Sequence, residues 1–186
     1  MFRRLVSVKI GAMDQALHAV IDMNEMVWNR LKEDLKDLPT EEVNWRPLPQ
    51  ANNINLIVRH LRIEAQWKLA SLERGEPEPT ETSETVQQFI ASISFDYERN
   101  LKELDDLCTR FVAVLRGMDE STLLKRNQLA HGERGRQHFL SFHHPMHLVM
   151  HHGQIRAIRT LYRKTRGESV PAQFYPDNPS YPCADG

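Results

Sequence analysis

NINLIVRHLRIEAQWKLASLERG, residues 53–75, spells a helix together with both of its ends. Asn53 is a good capping residue, because its side chain can accept from a backbone N–H one turn on. Gly75 is a stop, free to take the left-handed conformation that closes a helix. Between them Leu56 or Ile57, Leu61, Ala65, Leu69 and Leu72 recur at three- and four-residue steps, so one face is apolar.

The same period governs three other stretches. The first runs from about Gly11 to Leu38 on Leu17, Val20 or Ile21, Trp28, Leu31 and Leu35, and ends at Pro39. The third is expected from about Glu84 to Arg116, on Phe89, Ile93, Tyr97, Leu101, Leu104, Cys108, Phe111 and Leu115. The fourth covers about Gln137 to Arg166, with Leu140, Leu148, Ile155, Ile158, Leu161 and Tyr162 inward. Between the third and fourth, a short helical turn is expected around Ser121 to Arg126. No stretch reads as a strand. The expected fold is therefore all-α, a four-helix bundle formed by residues 1–166 as a single domain. The longer connections at 39–52 and 117–135 leave room for a crossover. The four prolines of VPAQFYPDNPSYPCADG make residues 167–186 an extended tail.

Composition narrows the function. The 186 residues are 40% hydrophobic and 26% charged, enough for one buried core. Lys plus Arg number 24 against 25 Asp plus Glu, a net charge of −1, so no basic excess exists to drive nucleic-acid or anionic-membrane binding. No apolar run approaches a membrane span, and MFRRLVSVKIGAMDQ lacks the apolar stretch of a secretion signal. A cytoplasmic address is expected. Cys108 lies on the apolar stripe of the third helix and Cys183 in the tail, so neither is placed as an activated nucleophile. The three tryptophans, Trp28, Trp45 and Trp67, read as packing residues, with Trp45 placed to close a pocket from its loop.

The unusual count is nine histidines, five of them within residues 143–152. In SFHHPMHLVMHHGQI, residues 141–155, His143, His147 and His151 stand four apart and form one row on a helix. His147 and His151 share the face of Leu148 and Ile155, close enough for two imidazoles to grip one metal ion. Pro145 suits a first turn, so the helix is expected to begin just before it. On the second helix His60 shares a stripe with Leu56, Ile63 and Trp67. A lone histidine on an apolar face is usually a hydrogen-bonded core residue, and an HxxxH pair alone is weak. Three inward imidazoles are harder to satisfy without an ion, since few polar side chains share those faces. Leu148 occupies the place of the glutamate in the HExxH protease motif, so peptide hydrolysis has no built-in base.

Taken together these residues resemble the DinB-like (YfiT-like) metal-binding four-helix-bundle family. The likeness rests on Glu42-Val43-Asn44-Trp45-Arg46-Pro47, Asn52-Asn53-Ile54 and His60-Leu61. It continues in His147-Leu148-Val149-Met150-His151 and His152-Gly153-Gln154-Ile155, in matching order across about residues 13–165. His152 departs from the arginine usual before the Gly-Gln. The resemblance implies a divalent metal held by His60, His147 and His151, and frequent homodimers. It also implies transfer of a low-molecular-weight thiol to an electrophile, or thiol-dependent isomerisation. The metal is open among zinc, nickel and iron, because imidazole suits all of them. Gln154 and His143 are candidates for hydrogen bonding around the ligands, and His143 or His144 for moving a proton. The competing readings are hydrolysis by metal-bound water and a non-enzymatic stress-response protein that binds a metal or small molecule. A homodimer would use the long first and fourth helices and the tail residues Phe174, Tyr175 and Tyr181.

Overall fold

The computed structural model describes residues 12–75, 83–119, 121–123, 125 and 139–169. Its elements are α1 (Ala12–Leu35), α2 (Thr40–Asn44), α3 (Ile54–Arg74), α4 (Glu84–Ser92), α5 (Tyr97–Arg116) and α6 (Phe139–Thr165). All regular structure among the described residues is helical, as expected. None of these helices is long and apolar enough to cross a membrane.

α3 has the ends its sequence spells. The Asn53 side chain accepts from Leu56 N at 2.8 Å, and Gly75 closes the helix at φ 69°. α1 stops at Leu35, three residues earlier than expected, and the chain turns through Asp37 at φ 53°, a conformation aspartate tolerates. The loop expected at 39–52 holds the short α2, whose Glu42 is buried and bonded to Arg159 Nε at 2.8 Å.

Cross-helix bonds fix the directions. Tyr97 Oη donates to the Leu35 carbonyl at 3.0 Å and Arg116 meets Glu25 at 2.7 Å, so α1 and α5 are antiparallel. Arg62 meets Glu103 at 2.7 Å and Arg110 meets Glu73 at 2.6 Å, so α3 and α5 run parallel. Asn24 donates to the Ser141 carbonyl at 3.2 Å and His152 meets Asp34 at 2.6 Å, so α1 and α6 are also parallel. The order is up, down, down, up. Each long helix packs on two others, and α3 lies against α6 in the antiparallel sense.

Parallel neighbours α3 and α5 require the chain to return along the bundle between them, and α4 belongs to that connection. The crossover thus falls between α3 and α5. It overturns the expectation of one continuous helix from Glu84 to Arg116. Residues 93–96 break it, and the carbonyls released there have partners: Arg59 takes those of Ile90 and Ile93, Asn100 that of Ser94, and Asn55 that of Phe95. Asp96 then caps α5 by accepting from Arg99 N at 3.1 Å. The spacing misled because Phe89, Ile93, Tyr97 and Leu101 keep four-residue steps across the break. Phe89 and Ile93 are half-buried, whereas Leu104, Cys108, Phe111 and Leu115 are buried as expected.

α6 also departs from expectation, since it runs straight through Pro145 and does not begin there. Proline has no N–H to offer the carbonyl four residues back, which is Ser141. The buried Asn24 of α1 donates to that carbonyl, so the defect is met from a neighbouring helix. Asn24→Ala is expected to lower stability by about 1–2 kcal/mol in a urea titration. An unchanged midpoint would refute this account of how the helix tolerates its proline.

Two layers of core fill the bundle. One gathers Trp28, Leu31, Ile54, Leu61, Leu104, Leu148 and Ile155, and the other Val20, Leu69, Leu72, Phe111, Leu115 and Leu123. Leu161, expected inward, is exposed, because its position has drifted off the buried stripe by the last turns of α6. The expected turn near residue 121 is helical at 121–123. The side chain of Leu140, most of the connection 117–135 and the tail beyond residue 169 lie outside the described residues.

Candidate metal centre

The antiparallel contact of α3 with α6 sets His60 opposite His147 and His151. His147 Nε2 lies 3.1 Å from His60 Nε2 and 3.0 Å from His151 Nε2. The three ligand atoms all fall within 4.8 Å of one another. The rings meet edge to face, with centroids 4.6 to 5.0 Å apart. The three ligand atoms therefore border a common space.

Hydrogen bonding among the rings competes with a metal as the explanation of this cluster. His151 Nδ1 lies 2.8 Å from Gln154 Oε1, an acceptor, so Nδ1 carries the hydrogen and Nε2 presents a lone pair. His147 Nε2 faces two neighbours and holds at most one hydrogen, so ring-to-ring bonding cannot serve both contacts if His151 is an acceptor. A cation accepts all three lone pairs. Nitrogens about 3 Å apart would be close enough to hold one ion at the ~2.0–2.1 Å bond lengths that imidazole makes. The donor set, three imidazole nitrogens from two helices, is one that fits a divalent ion.

Burial favours the neutral rings that a metal needs. It pushes His147 well below the ordinary imidazole range, and the Lys68 charge adds to the shift. His151 is lowered too, against the Gln154 hydrogen bond and the Glu64 carboxylate, which pull the other way. Gln154 holds His151 in the manner of residues that orient metal ligands. His143 stacks on His147 at 5.9 Å between centroids and belongs to the same group.

The other proton-moving candidate is elsewhere. His144 is buried, with Nε2 3.7 Å from Cys108 Sγ and its ring 4.4 Å from Phe111. Burial drives it down to about 3, so it is a neutral core residue. Burial likewise raises the Cys108 thiol far above its usual value, which leaves it inert. Trp45 packs edge-on against Tyr162 at 5.8 Å, toward the C-terminal end of α6. His152 joins Arg156 and Arg159 in gripping Asp34 of α1.

The sequence reading passed over two charged residues at this centre. Lys68 is wholly buried and ion-paired with Glu64. Their signal was available: His60, Glu64 and Lys68 stand four apart on one face of α3.

The family model for mycothiol-S-transferase matches residues 19–164, which include all three converging histidines. No curated protein and no solved structure matches the chain. The match spans the four long helices, and the expected DinB-like resemblance agrees with it: the chain belongs to the mycothiol-S-transferase family, within the DinB-like superfamily.

Proposed function

We propose that this chain is an enzyme that transfers a low-molecular-weight thiol to an electrophilic small molecule, with His60, His147 and His151 holding a divalent metal. The convergence of three imidazole nitrogens from two helices carries the reading. A bound divalent ion supplies the positive charge that favours thiolate over thiol near neutral pH. The chain's own residues hold His147 and His151 neutral by burial and fix the His151 tautomer through Gln154, while His60 and His147 stay partly exposed. The family name makes mycothiol the first thiol to test. The cytoplasm, where small thiols are kept reduced, is the fitting compartment. The test is mass spectrometry of the products formed by zinc-loaded protein, mycothiol and a haloalkyl electrophile. A thiol–electrophile conjugate well above the protein-free rate is expected, and its absence with zinc, nickel and iron alike would sink the proposal.

The proposal includes a homodimer built on the outer face of α6. Phe142, Met146, Val149, Met150 and Leu161 are exposed there. A groove of about 630 Å³ runs beside them past Gly153 and Ala157. Gly153 sits mid-helix, where glycine weakens a helix by roughly 0.5–1 kcal/mol, yet a Cβ there would meet nothing within 4 Å. Its own chain does not need the glycine; close approach of a second α6 would. Gly153→Arg is expected to give a monomer by light scattering at micromolar concentration, with helicity and metal content retained. A wild-type monomer, or a dimeric variant, would refute this interface.

A further inference from the structure

His60, Glu64 and Lys68 follow one another at four-residue steps along the side of α3 that meets α6. Lys68 is 0% exposed and its ammonium is bonded to Glu64 Oε2. An ion pair in a core is poor stabilisation, because the desolvation of both charges offsets their attraction. This one lies one and two turns beyond His60 on α3. The Lys68 charge acts on His144, His147 and His151, and the Glu64 charge acts on His151. We propose that Glu64 is the acceptor of the thiol proton, and that Lys68 is a positioning residue that holds the carboxylate at the mouth of the histidine cluster. The proposal rests on thiol transfer at this site.

Two of the neighbouring polar groups already have partners. Gln154 is bonded to His151 Nδ1, and His144 faces Cys108 in the core. Lys68 uses Oε2 of Glu64, which leaves Oε1 for a substrate atom. The charged and titratable groups that the Glu64–Lys68 pair acts on are His144, His147 and His151 of α6, with His143 acting on His144 and His147 in turn, and His60 lies one turn before Glu64 on its own helix. Glu64 is the one anion among them. In the step, the S–H proton passes to Glu64 Oε1 and the thiolate attacks the electrophilic carbon. A C–S bond forms, the bond to the leaving group breaks with its electron pair, the leaving group departs as an anion, and Glu64 releases the proton to water. The carboxylate is regenerated and nothing is oxidised.

The experiment uses the full chain loaded with cobalt for binding and with zinc for turnover, and N-acetylcysteine as the probe thiol. If Glu64 keeps the proton, thiol affinity read from the sulfur-to-cobalt absorption band is nearly flat between about pH 6 and about pH 8. In Glu64→Gln the proton goes to solvent, so affinity should rise roughly tenfold per pH unit. Turnover of Glu64→Gln near pH 7 should fall by about a hundredfold, with the gap closing as pH approaches the ionisation of the free thiol. Lys68→Met should keep the flat binding profile while losing part of kcat. Glu64→Asp serves as the conservative variant and should restore part of the flat profile. Equal pH slopes in wild type and a folded, metal-loaded Glu64→Gln would overturn the proposal. A wild type that neither binds nor transfers thiol would overturn it together with the transferase reading, whereas equal slopes in an active wild type overturn this inference alone.

Discussion

Untagged His147→Ala is expected to be purified with almost no zinc, where the wild type carries close to one ion per chain. His147 is the centre of the cluster, within 3.0 Å of His151 and 3.1 Å of His60 at their Nε2 atoms. Removing it leaves two nitrogens on different helices, too few for a structural or catalytic site. The fold should survive, because the ring is only half-buried and alanine favours helix more than histidine does. His151→Ala should behave alike. Gln154→Ala should keep the metal but bind it about 10–100-fold more weakly, since only the orientation of one ligand is lost. Near-unit zinc in both histidine variants, by elemental analysis after dialysis, would remove the metal from the account.

The pH dependence of that binding follows from burial. Protons compete for a ring only where it titrates, and His147 and His151 are held below the ordinary value. Zinc affinity should therefore stay level as pH falls to about 6.5, the value of a free imidazole, and weaken only below it. The metal-free fold has the opposite exposure. Below about 6.5 the unfolded chain takes up protons on its histidines while buried His144, titrating at about 3, stays neutral. The unfolded state then binds more protons, so stability falls as pH drops through that window. Thermal unfolding of the apoprotein in acid should show the decline.

Much of this was legible in the residues because helices announce themselves locally. Asn53 and Gly75 gave the bounds of α3, and the spacing of His147 and His151 put both on one face before any neighbour was known. Helix direction was not legible. A four-residue rhythm through Phe89, Ile93, Tyr97 and Leu101 reads the same whether a helix continues or stops and restarts in phase. The stop is enforced by Arg59, Asn55 and Asn100, two of which lie on another helix. Pro145 misled for a related reason, because its remedy, Asn24, is distant in sequence. The charged pair Glu64–Lys68 went unnoticed because Lys and Glu four apart usually mark a solvated surface. The packing of neighbouring helices onto α3 turns that surface inward and leaves Lys68 fully buried.

Turnover is expected to require both the metal and an added thiol, and to survive replacement of both cysteines. Cys108 is the described thiol nearest the centre, but it is buried in the core and burial holds it protonated. It lies against His144, a ring kept neutral and therefore unable to stabilise a thiolate as a cation would. Cys108→Ser should thus lose some stability, through a polar atom placed in an apolar layer, and little kcat. Chelation should abolish activity, since the charge that favours thiolate comes from the ion and burial keeps His147 and His151 neutral. Omitting the thiol separates the two chemistries that one set of ligands supports. Conjugation needs the thiol as nucleophile, whereas hydrolysis by metal-bound water proceeds without it. Product formation that persists without thiol would assign the site to hydrolysis. Loss of turnover in a folded, metal-loaded Cys108→Ser variant would mean that the nucleophile is the protein's own, and the buried, protonated state of that thiol would then need a conformational opening to expose it.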